Sequence, residues 1–202
     1  MPRCSICALP SPLGATCGHC IKTPPHFQHT VAVFSYAFPL DKLIHALKYG
    51  ERLELVNSFA DQLAQRAQTR PDHIIPMPLH PARLRERGFN QSLELARRVG
   101  KNLNIPVQLN SVQRVRDTPP QSSLSRQARN KNMRQAFAYT QDIGVQNLAG
   151  INLLGENLTG QHVAIVDDVM TSGASLNEVA RVLREAGARE VSAWVVARAL
   201  PR

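Results

Sequence analysis

The sequence predicts an α/β fold with a parallel-sheet core and a small N-terminal metal-binding module. Three observations lead to this prediction. From residue 31 onward, short β-branched runs alternate with stretches of helical period, the pattern of strand–helix–strand units. All four cysteines fall within the first twenty residues. Residues 163–175, VAIVDDVMTSGAS, read as a buried strand, two carboxylates, a small-residue turn and the start of a helix. We therefore expect a module over 1–30 and a domain over 31–202.

The first half of the domain alternates strands with helices. VAVFSYAF is β-branched and aromatic, as strands are, and two stretches after it repeat apolar residues at helical spacing. Gly50 and Pro71 are the stop signals of these two helices. The predicted elements are a strand over 31–38, helices over 41–48 and 51–68, and a strand over 73–76.

The second half is less regular until its end. Residues 76–92 are rich in proline and arginine and are expected to form a loop without regular structure. The polar stretch 117–135 shows no hydrophobic period. The other predicted elements are a helix over 91–103, strand-like pieces at 107–109, 112–116 and 136–139, a loop over 141–160 with a hairpin at 151–158, a strand over 162–166, a helix over 174–186 capped by Gly187, and a strand over 191–197.

The net charge of +9 is concentrated in one part of the chain. Between Arg83 and Arg134, twelve lysines and arginines face only three acids. Such a field favours polyphosphates or nucleic acid, and a solvated basic surface is the alternative. No apolar run is long enough to span a membrane, and the first residues lack the apolar centre of a secretory signal. We therefore expect a cytoplasmic protein without a membrane span.

The cysteines have the spacing of a zinc site. Cys4, Cys7, Cys17 and Cys20 form two C-x2-C pairs, and each pair can direct both thiolates at one ion. The surrounding segment is rich in proline and too short to bury a core, so zinc would supply much of its folding free energy. Two disulfides are the alternative, which a cytoplasmic location disfavours. Four thiolates fill the coordination sphere of the ion. The predicted role of the zinc site is therefore structural or in molecular recognition, rather than catalytic. His26 and His29 are expected at the surface.

The turn after the acidic pair has the composition of an anion site. Residues Thr171, Ser172, Gly173, Ala174 and Ser175 lead into a helix, whose first N–H groups bind phosphate. Asp167 and Asp168 can accept hydrogen bonds from two sugar hydroxyls or hold a divalent ion. Together these features describe a ribose 5-phosphate site. An ordinary capped strand–helix unit with two solvated carboxylates is the alternative.

A second anion site is predicted in the loop over 76–92. Arg83, Arg85 and Arg87 follow a strand and carry guanidinium groups, which fit phosphate oxygens bidentately. These arginines would bind the phosphates of a small ligand, or else nucleic-acid phosphates or only water. Lys48 is a further candidate contact. The stretch 118–134 is a candidate lid, with Gln121, Arg126, Arg129 and Asn132 able to reach inward, or a surface loop without a role.

Residues 163–175 resemble the phosphoribosyl pyrophosphate (PRPP) motif of type I phosphoribosyltransferases. The resemblance implies that Asp167 and Asp168 face the ribose hydroxyls and that the 171–175 loop binds the 5-phosphate. With the four-cysteine knuckle and the runs at 46–52, 76–92 and 118–137, the chain resembles the ComF family of bacterial competence proteins. That resemblance implies a type I phosphoribosyltransferase-like fold and a role in DNA uptake with other competence-machinery proteins. Thr171 stands where purine-salvage relatives carry a third acid, which disfavours purine salvage.

Two functions remain open on this reading. The first is an enzyme in which an acceptor displaces pyrophosphate from PRPP with magnesium, with Asp167 and Asp168 holding the sugar. The chain shows no evident general base for that acceptor. The second is a nucleic-acid module whose pocket binds PRPP or a related phosphorylated ribose while the protein handles incoming single-stranded DNA. Aromatic residues make up only 5% of the chain, so salt-sensitive backbone contacts are expected to dominate DNA binding.

Overall fold

The computed structural model describes residues 1–50, 52–116, 133–140 and 157–200. Within these ranges the helices are α1 (Gly18–Lys22), α2 (Leu40–Tyr49), α3 (Glu54–Arg66), α4 (Pro81–Arg87), α5 (Gln91–Leu103) and α6 (Ala174–Glu185), with a short 3-10 turn at Pro12–Gly14. The strands are β1 (His29–Ser35), β2 (His73–Pro76), β3 (Val112–Arg114), β4 (Phe137–Tyr139), β5 (His162–Met170) and β6 (Glu190–Arg198). The candidate lid and the hairpin predicted at 151–158 lie largely outside the described residues.

A four-stranded parallel sheet confirms the predicted core. Its strand order is β1-β6-β5-β2, so β5 and β6 lie at the centre. The two central strands pair from His162 opposite Glu190 to Met170 opposite Arg198. β3 and β4 form a separate antiparallel pair, and the strand predicted at 107–109 is reduced to one bridge between Val107 and Ile74.

Helices cover both faces of the sheet, which explains why β5 and β6 are apolar almost throughout. On one face α2, α3 and α5 pack over Ala164, Val166 and Trp194. On the other face α6 and the N-terminal module pack over Val163 and Ile165. Successive residues of β5 thus alternate between the two cores, as the two-residue period of a strand requires.

The prediction of an irregular loop over 76–92 is wrong, because α4 forms within it. The Nδ1 atom of His80 accepts a hydrogen bond from the N–H of Ala82 at 3.3 Å and so caps the helix. Pro81 occupies the first turn, where its missing N–H costs nothing. Gly88 ends the helix in the left-handed conformation at φ 79°. The arginines of this segment therefore project from a helix.

The strand predicted over 162–166 is too short. β5 continues through Asp167 and Asp168 to Met170, because its pairing with β6 continues that far. The acidic pair thus lies inside a strand at its carboxyl end and is held by the sheet. Within the described residues, no helix combines the length and apolar character needed to cross a membrane.

Candidate functional site

A cleft of about 360 Å³ opens at the carboxyl edge of the parallel sheet. Ligands of open α/β sheets commonly bind at this edge. The predicted site residues that line the cleft are Asp167, Asp168, Thr171, Gly173, Ala174, Ser175, Arg83 and Arg87. Ser172 faces a smaller cavity beside the cysteine module, and Arg85 is exposed outside the cleft lining. The structure therefore brings the acidic pair, the small-residue turn and two of the three arginines to one place.

The two carboxylates of the acidic pair have different partners. Oδ1 of Asp167 accepts hydrogen bonds from the Ser92 hydroxyl and from the Asp168 N–H, each at 2.9 Å. Asp168 is 3% exposed, and its Oδ2 lies 2.9 Å from Nζ of Lys48. The ion pair supplies the counter-charge that a buried carboxylate needs.

Burial also changes the protonation of this pair. It raises the pKa of Asp167 to about 7, and repulsion from Asp168 adds to the rise, while Lys48 and the two hydrogen bonds oppose it. Burial alone would lower the pKa of Lys48, but attraction to Asp168 outweighs it and raises that pKa above its usual range. Lys48 therefore stays charged at neutral pH, whereas Asp167 exchanges its proton near neutral pH.

The turn before α6 has the backbone geometry of an anion site. Gly173 adopts φ +83° at the N-terminal end of α6, a conformation that other residues rarely take. The Ser172 hydroxyl accepts a hydrogen bond from the N–H of Ala174 at 3.3 Å. Helix α6 has twelve residues, and the N–H groups of its first turn lack partners within the helix. Their dipoles favour a negative charge at the cleft.

The cleft arginines come from α4 and are held on its surface by local contacts. Nη1 of Arg83 donates to Oε2 of Glu86 at 3.0 Å. Nη1 of Arg87 donates to Oε1 of Gln91 at 2.7 Å, and its guanidinium lies 5.1 Å from the ring centroid of Tyr49. Both side chains are thereby oriented, and both retain donors for an anion.

The four cysteines form the cluster that their spacing predicts. The sulfur atoms of Cys4, Cys7, Cys17 and Cys20 all lie within 4.8 Å of one another, and all four residues have free thiols. The Sγ atoms of Cys7 and Cys17 are 3.7 Å apart, and the N–H of Cys17 donates to Sγ of Cys4 at 3.3 Å. Four thiolates at this spacing repel one another unless a cation lies between them. The donor set thus fits a metal ion such as zinc.

A buried arginine joins the cysteine module to the cleft. Arg198, at the end of β6, is 3% exposed. Its Nε donates to the carbonyl of Cys7 at 2.7 Å, and its Nη1 donates to the carbonyls of Met170 at 2.9 Å, of Ala199 at 2.8 Å and of Thr171. One guanidinium therefore fixes the first knuckle and the start of the small-residue turn relative to each other.

Several residues of the site were not found from the sequence. Ser92 carries no signal of its own, because a serine in the first turn of a helix is ordinary. Tyr36, Tyr49 and Arg114 also line the cleft; Arg114 comes from β3, and its guanidinium lies 5.8 Å from the ring centroid of Phe137. Tyr49 directly follows Lys48 at the end of α2, so the prediction of Lys48 as a contact was the signal that could have found it. The lid candidates Gln121, Arg126, Arg129 and Asn132 lie outside the described residues.

Comparisons with known proteins agree with this architecture. The phosphoribosyl transferase domain family matches residues 49–200. The DNA utilization protein YhgH of Shigella flexneri is 35% identical over 207 residues, covering 98% of this chain and 84% of that protein. Competence protein F of Haemophilus influenzae is 33% identical, covering 91% and 78%. Competence protein ComFC of Bacillus subtilis is 24% identical, covering 96% and 77%. The alignment with the Shigella flexneri protein covers the cysteine segment as well as the rest of the chain.

Proposed function

The chain belongs to the ComF family and contains a phosphoribosyl transferase domain, and on this premise we propose that it is a DNA-uptake protein with a PRPP-binding cleft. The relatives are named for DNA utilization and competence. We further propose that the protein works in the cytoplasm on incoming single-stranded DNA, with other proteins of the competence machinery. The observation that carries the PRPP proposal is the meeting of acidic pair, turn and arginines in one cleft.

In this proposal the two ends of PRPP bind different elements. The 5-phosphate binds the first turn of α6 and the 171–175 loop, and the ribose hydroxyls donate to Asp167 and Asp168. The pyrophosphate binds Arg83 and Arg87. Magnesium, when bound with PRPP, neutralises pyrophosphate charge. The free oxygens of the acidic pair are of the class that magnesium prefers.

Zinc in the cysteine cluster has a structural role in this proposal. The module has little apolar surface of its own, and the cluster of Cys4, Cys7 and Cys20 forms its own small core. Cys17→Ser is expected to remove one zinc per chain, measured by elemental analysis of purified protein. Ser5→Ala, at an exposed position between the first two ligands, is the matched control and is expected to retain the metal.

The alternative function is a phosphoribosyltransferase acting on an unknown acceptor. In that reaction the bond between ribose C1 and the pyrophosphate oxygen breaks, and C1 bonds to the acceptor, which loses a proton. The family match supports this alternative. Release of pyrophosphate that depends on a nucleobase, amine or nucleotide and is lost in Asp167→Asn/Asp168→Asn would establish it.

The surface that fits DNA best is the mouth of the cleft. On α5, Arg97 and Arg98 pair with Glu94 and Asp61. On α4, Arg83 pairs with Glu86, while Arg85 and Arg87 make no ion pair with a described acid. At the mouth of the cleft, Arg83, Arg87 and the exposed Arg85 lie on α4 beside two exposed tyrosines, Tyr36 and Tyr49. Tyrosine rings stack on bases without sequence preference. This combination supports binding of single strands by backbone charge and stacking.

The DNA proposal is tested by fluorescence anisotropy with a labelled oligothymidylate. Wild-type affinity is expected to fall steeply between about 50 and 200 mM salt. Arg85→Gln is expected to weaken DNA binding and to reduce the slope of log affinity against log salt by about one. Arg97→Gln is expected to change the affinity and the slope less, because Arg97 is already paired with Glu94. Salt-independent binding, or equal effects of both variants, would contradict the proposed surface.

The PRPP proposal is tested separately by calorimetric titration of PRPP with magnesium. We expect one binding event per chain, lost in Asp167→Asn/Asp168→Asn and retained in Arg97→Gln. Absence of heat with the wild-type protein, confirmed by an unchanged melting temperature in excess PRPP, would refute PRPP binding. The anisotropy experiment measures DNA binding separately, so failure of one proposal does not decide the other.

A further inference from the structure

We propose that His29, His162 and Glu190 form a second metal site, for Zn(II), at the amino edge of the sheet. These residues begin β1, β5 and β6. The site lies at the end of the strands opposite the PRPP cleft and is separate from the four-cysteine cluster. The proposal of this second metal site does not depend on the functions proposed for the cleft or for the cysteine cluster.

The sheet itself brings the three side chains together. His162 and Glu190 are direct neighbours in the pairing of β5 with β6. His29 pairs with Ser192, two residues beyond Glu190 on the same strand. Because residues two apart in a strand share a face, His29 and Glu190 lie on neighbouring strands on one side of the sheet. His29 is expected at the surface from its place in the sequence, but its side chain is only 23% exposed.

The distances fit tetrahedral coordination. Nδ1 of His29 lies 3.4 Å and Nε2 of His162 lies 3.8 Å from Oε1 of Glu190. The three possible ligand atoms all lie within 4.8 Å of one another. Bonds of about 2.1 Å from zinc to nitrogen or oxygen place two ligands of a tetrahedron about 3.4 Å apart. Small side-chain rotations therefore suffice to form the site.

The surrounding hydrogen bonds orient the ligands. Nε2 of His29 is 3.2 Å from the Thr69 hydroxyl, so a proton on Nε2 leaves Nδ1 available for the metal. The backbone N–H of His162 donates to Asp72 at 2.7 Å, which fixes the start of β5. Nε2 of His162 contacts the Ser192 hydroxyl at 3.1 Å, and a metal at this position would replace that contact with a coordinate bond.

The protonation of the site favours a cation. Burial lowers the pKa of His29 and of His162, and the attraction of Glu190 opposes the shift without reversing it. Both imidazoles are therefore neutral at neutral pH and offer lone pairs. The net charge of the three ligands is then negative. Asp72 adds to this field, and Arg189 weakens it.

A metal at this position would tie three adjacent strands together. β1 is an edge strand of the sheet, and its pairing with β6 begins at His29. The Glu190 side chain is 35% exposed, so solvent reaches the site and water would complete the coordination. Three protein ligands and one water make an open site, unlike the closed four-cysteine cluster.

The experiment counts zinc in the full-length protein. Protein first loaded to one zinc per chain is titrated with further Zn(II) against a chromophoric chelator, and the melting temperature is recorded. We expect a second zinc to bind and to raise the melting temperature. His29→Gln and Glu190→Gln are expected to weaken the second event about tenfold or more without affecting the first. His26→Gln, an exposed histidine elsewhere on the surface, is the matched control and retains both.

Cobalt distinguishes the two sites directly. Co(II) in the second site should give visible absorption without the near-ultraviolet charge-transfer band of a thiolate ligand. A wild-type protein that binds only one zinc per chain would overturn the proposal. So would a second event that survives in His29→Gln, or one that carries the thiolate band. If Glu190→Gln fails to fold, His29→Gln, at a partly exposed position, gives the same answer.

Discussion

Nζ of Lys48 lies 2.9 Å from Oδ2 of Asp168, so the end of α2 neutralises a carboxylate inside the central strand β5. The two residues are far apart in sequence, and the fold brings them together at the floor of the cleft. Lys48 therefore holds the Asp168 carboxylate in place before any ligand arrives. A ligand cation at this place must share or displace that ammonium.

The first prediction concerns this ion pair. Lys48→Met leaves a buried carboxylate without its counter-charge, and we expect the free energy of unfolding to fall by about 1–2 kcal/mol, because Lys48 is partly exposed. Urea unfolding measures the change. Asp168→Asn in the Lys48→Met background should recover most of the loss. Additive losses in the double variant would contradict an interaction between the two residues.

The second prediction uses the raised pKa of Asp167. A carboxyl whose pKa is higher in the folded than in the unfolded state makes the free energy of unfolding fall as pH rises between those two values. Asp167→Asn keeps the hydrogen bonds from Ser92 and Asp168 but carries no charge. We expect it to be about 1–2 kcal/mol more stable than wild type near about pH 8, and equal to it near about pH 4.

Urea unfolding at these two pH values checks this result. Asp61→Asn is the matched control, because Asn102 and Arg98 hold the pKa of the partly exposed Asp61 below its usual range. It should show no gain at the higher pH. A gain for Asp167→Asn that does not depend on pH would argue against titration of this carboxyl.

The third prediction concerns Arg198. The single ammonium of lysine cannot take the places of both Nε, which donates to the Cys7 carbonyl, and Nη1, which donates to Met170 and Thr171. Arg198→Lys therefore leaves at least one of these carbonyl contacts unmade. We expect a loss of about 2 kcal/mol in the free energy of unfolding, and faster transfer of zinc from the cysteine cluster to a chelator. Arg181→Lys, on the outer surface of α6, is the control. Unchanged zinc transfer in Arg198→Lys would mean that the arginine does not couple the module to the domain.

The sequence predicts most of the fold because its central strands and helices carry strong periodic patterns. β2, α5 and β6 begin and end within one residue of the predicted positions. α4 escaped prediction because its signals are local caps, His80 and Gly88, within a segment rich in arginine and proline. β5 is longer than predicted because backbone pairing with β6 holds two charged residues in the strand, which hydropathy alone does not reveal.

The sequence motifs of the cleft could be predicted, but the contacts that these motifs make with distant segments could not. The acidic pair and the small-residue turn are contiguous in sequence, so their chemistry could be read directly. The contact of Ser92 with Asp167 and the bridge made by Arg198 join segments 75 residues or more apart. Such contacts follow from the order of the strands, which the sequence pattern does not determine. The cluster of His29, His162 and Glu190 escaped prediction for the same reason.

The central claim is that the cleft binds a phosphorylated pentose through the acidic pair and the turn before α6. Calorimetric titration with ribose 5-phosphate and with 2-deoxyribose 5-phosphate tests it most directly, because the two ligands differ by one hydroxyl. We predict that the wild-type protein binds the ribose compound about tenfold more tightly, and that Asp167→Asn/Asp168→Asn loses this preference. Equal affinity of the wild-type protein for both sugars, or a preference that survives in the variant, would contradict the claim.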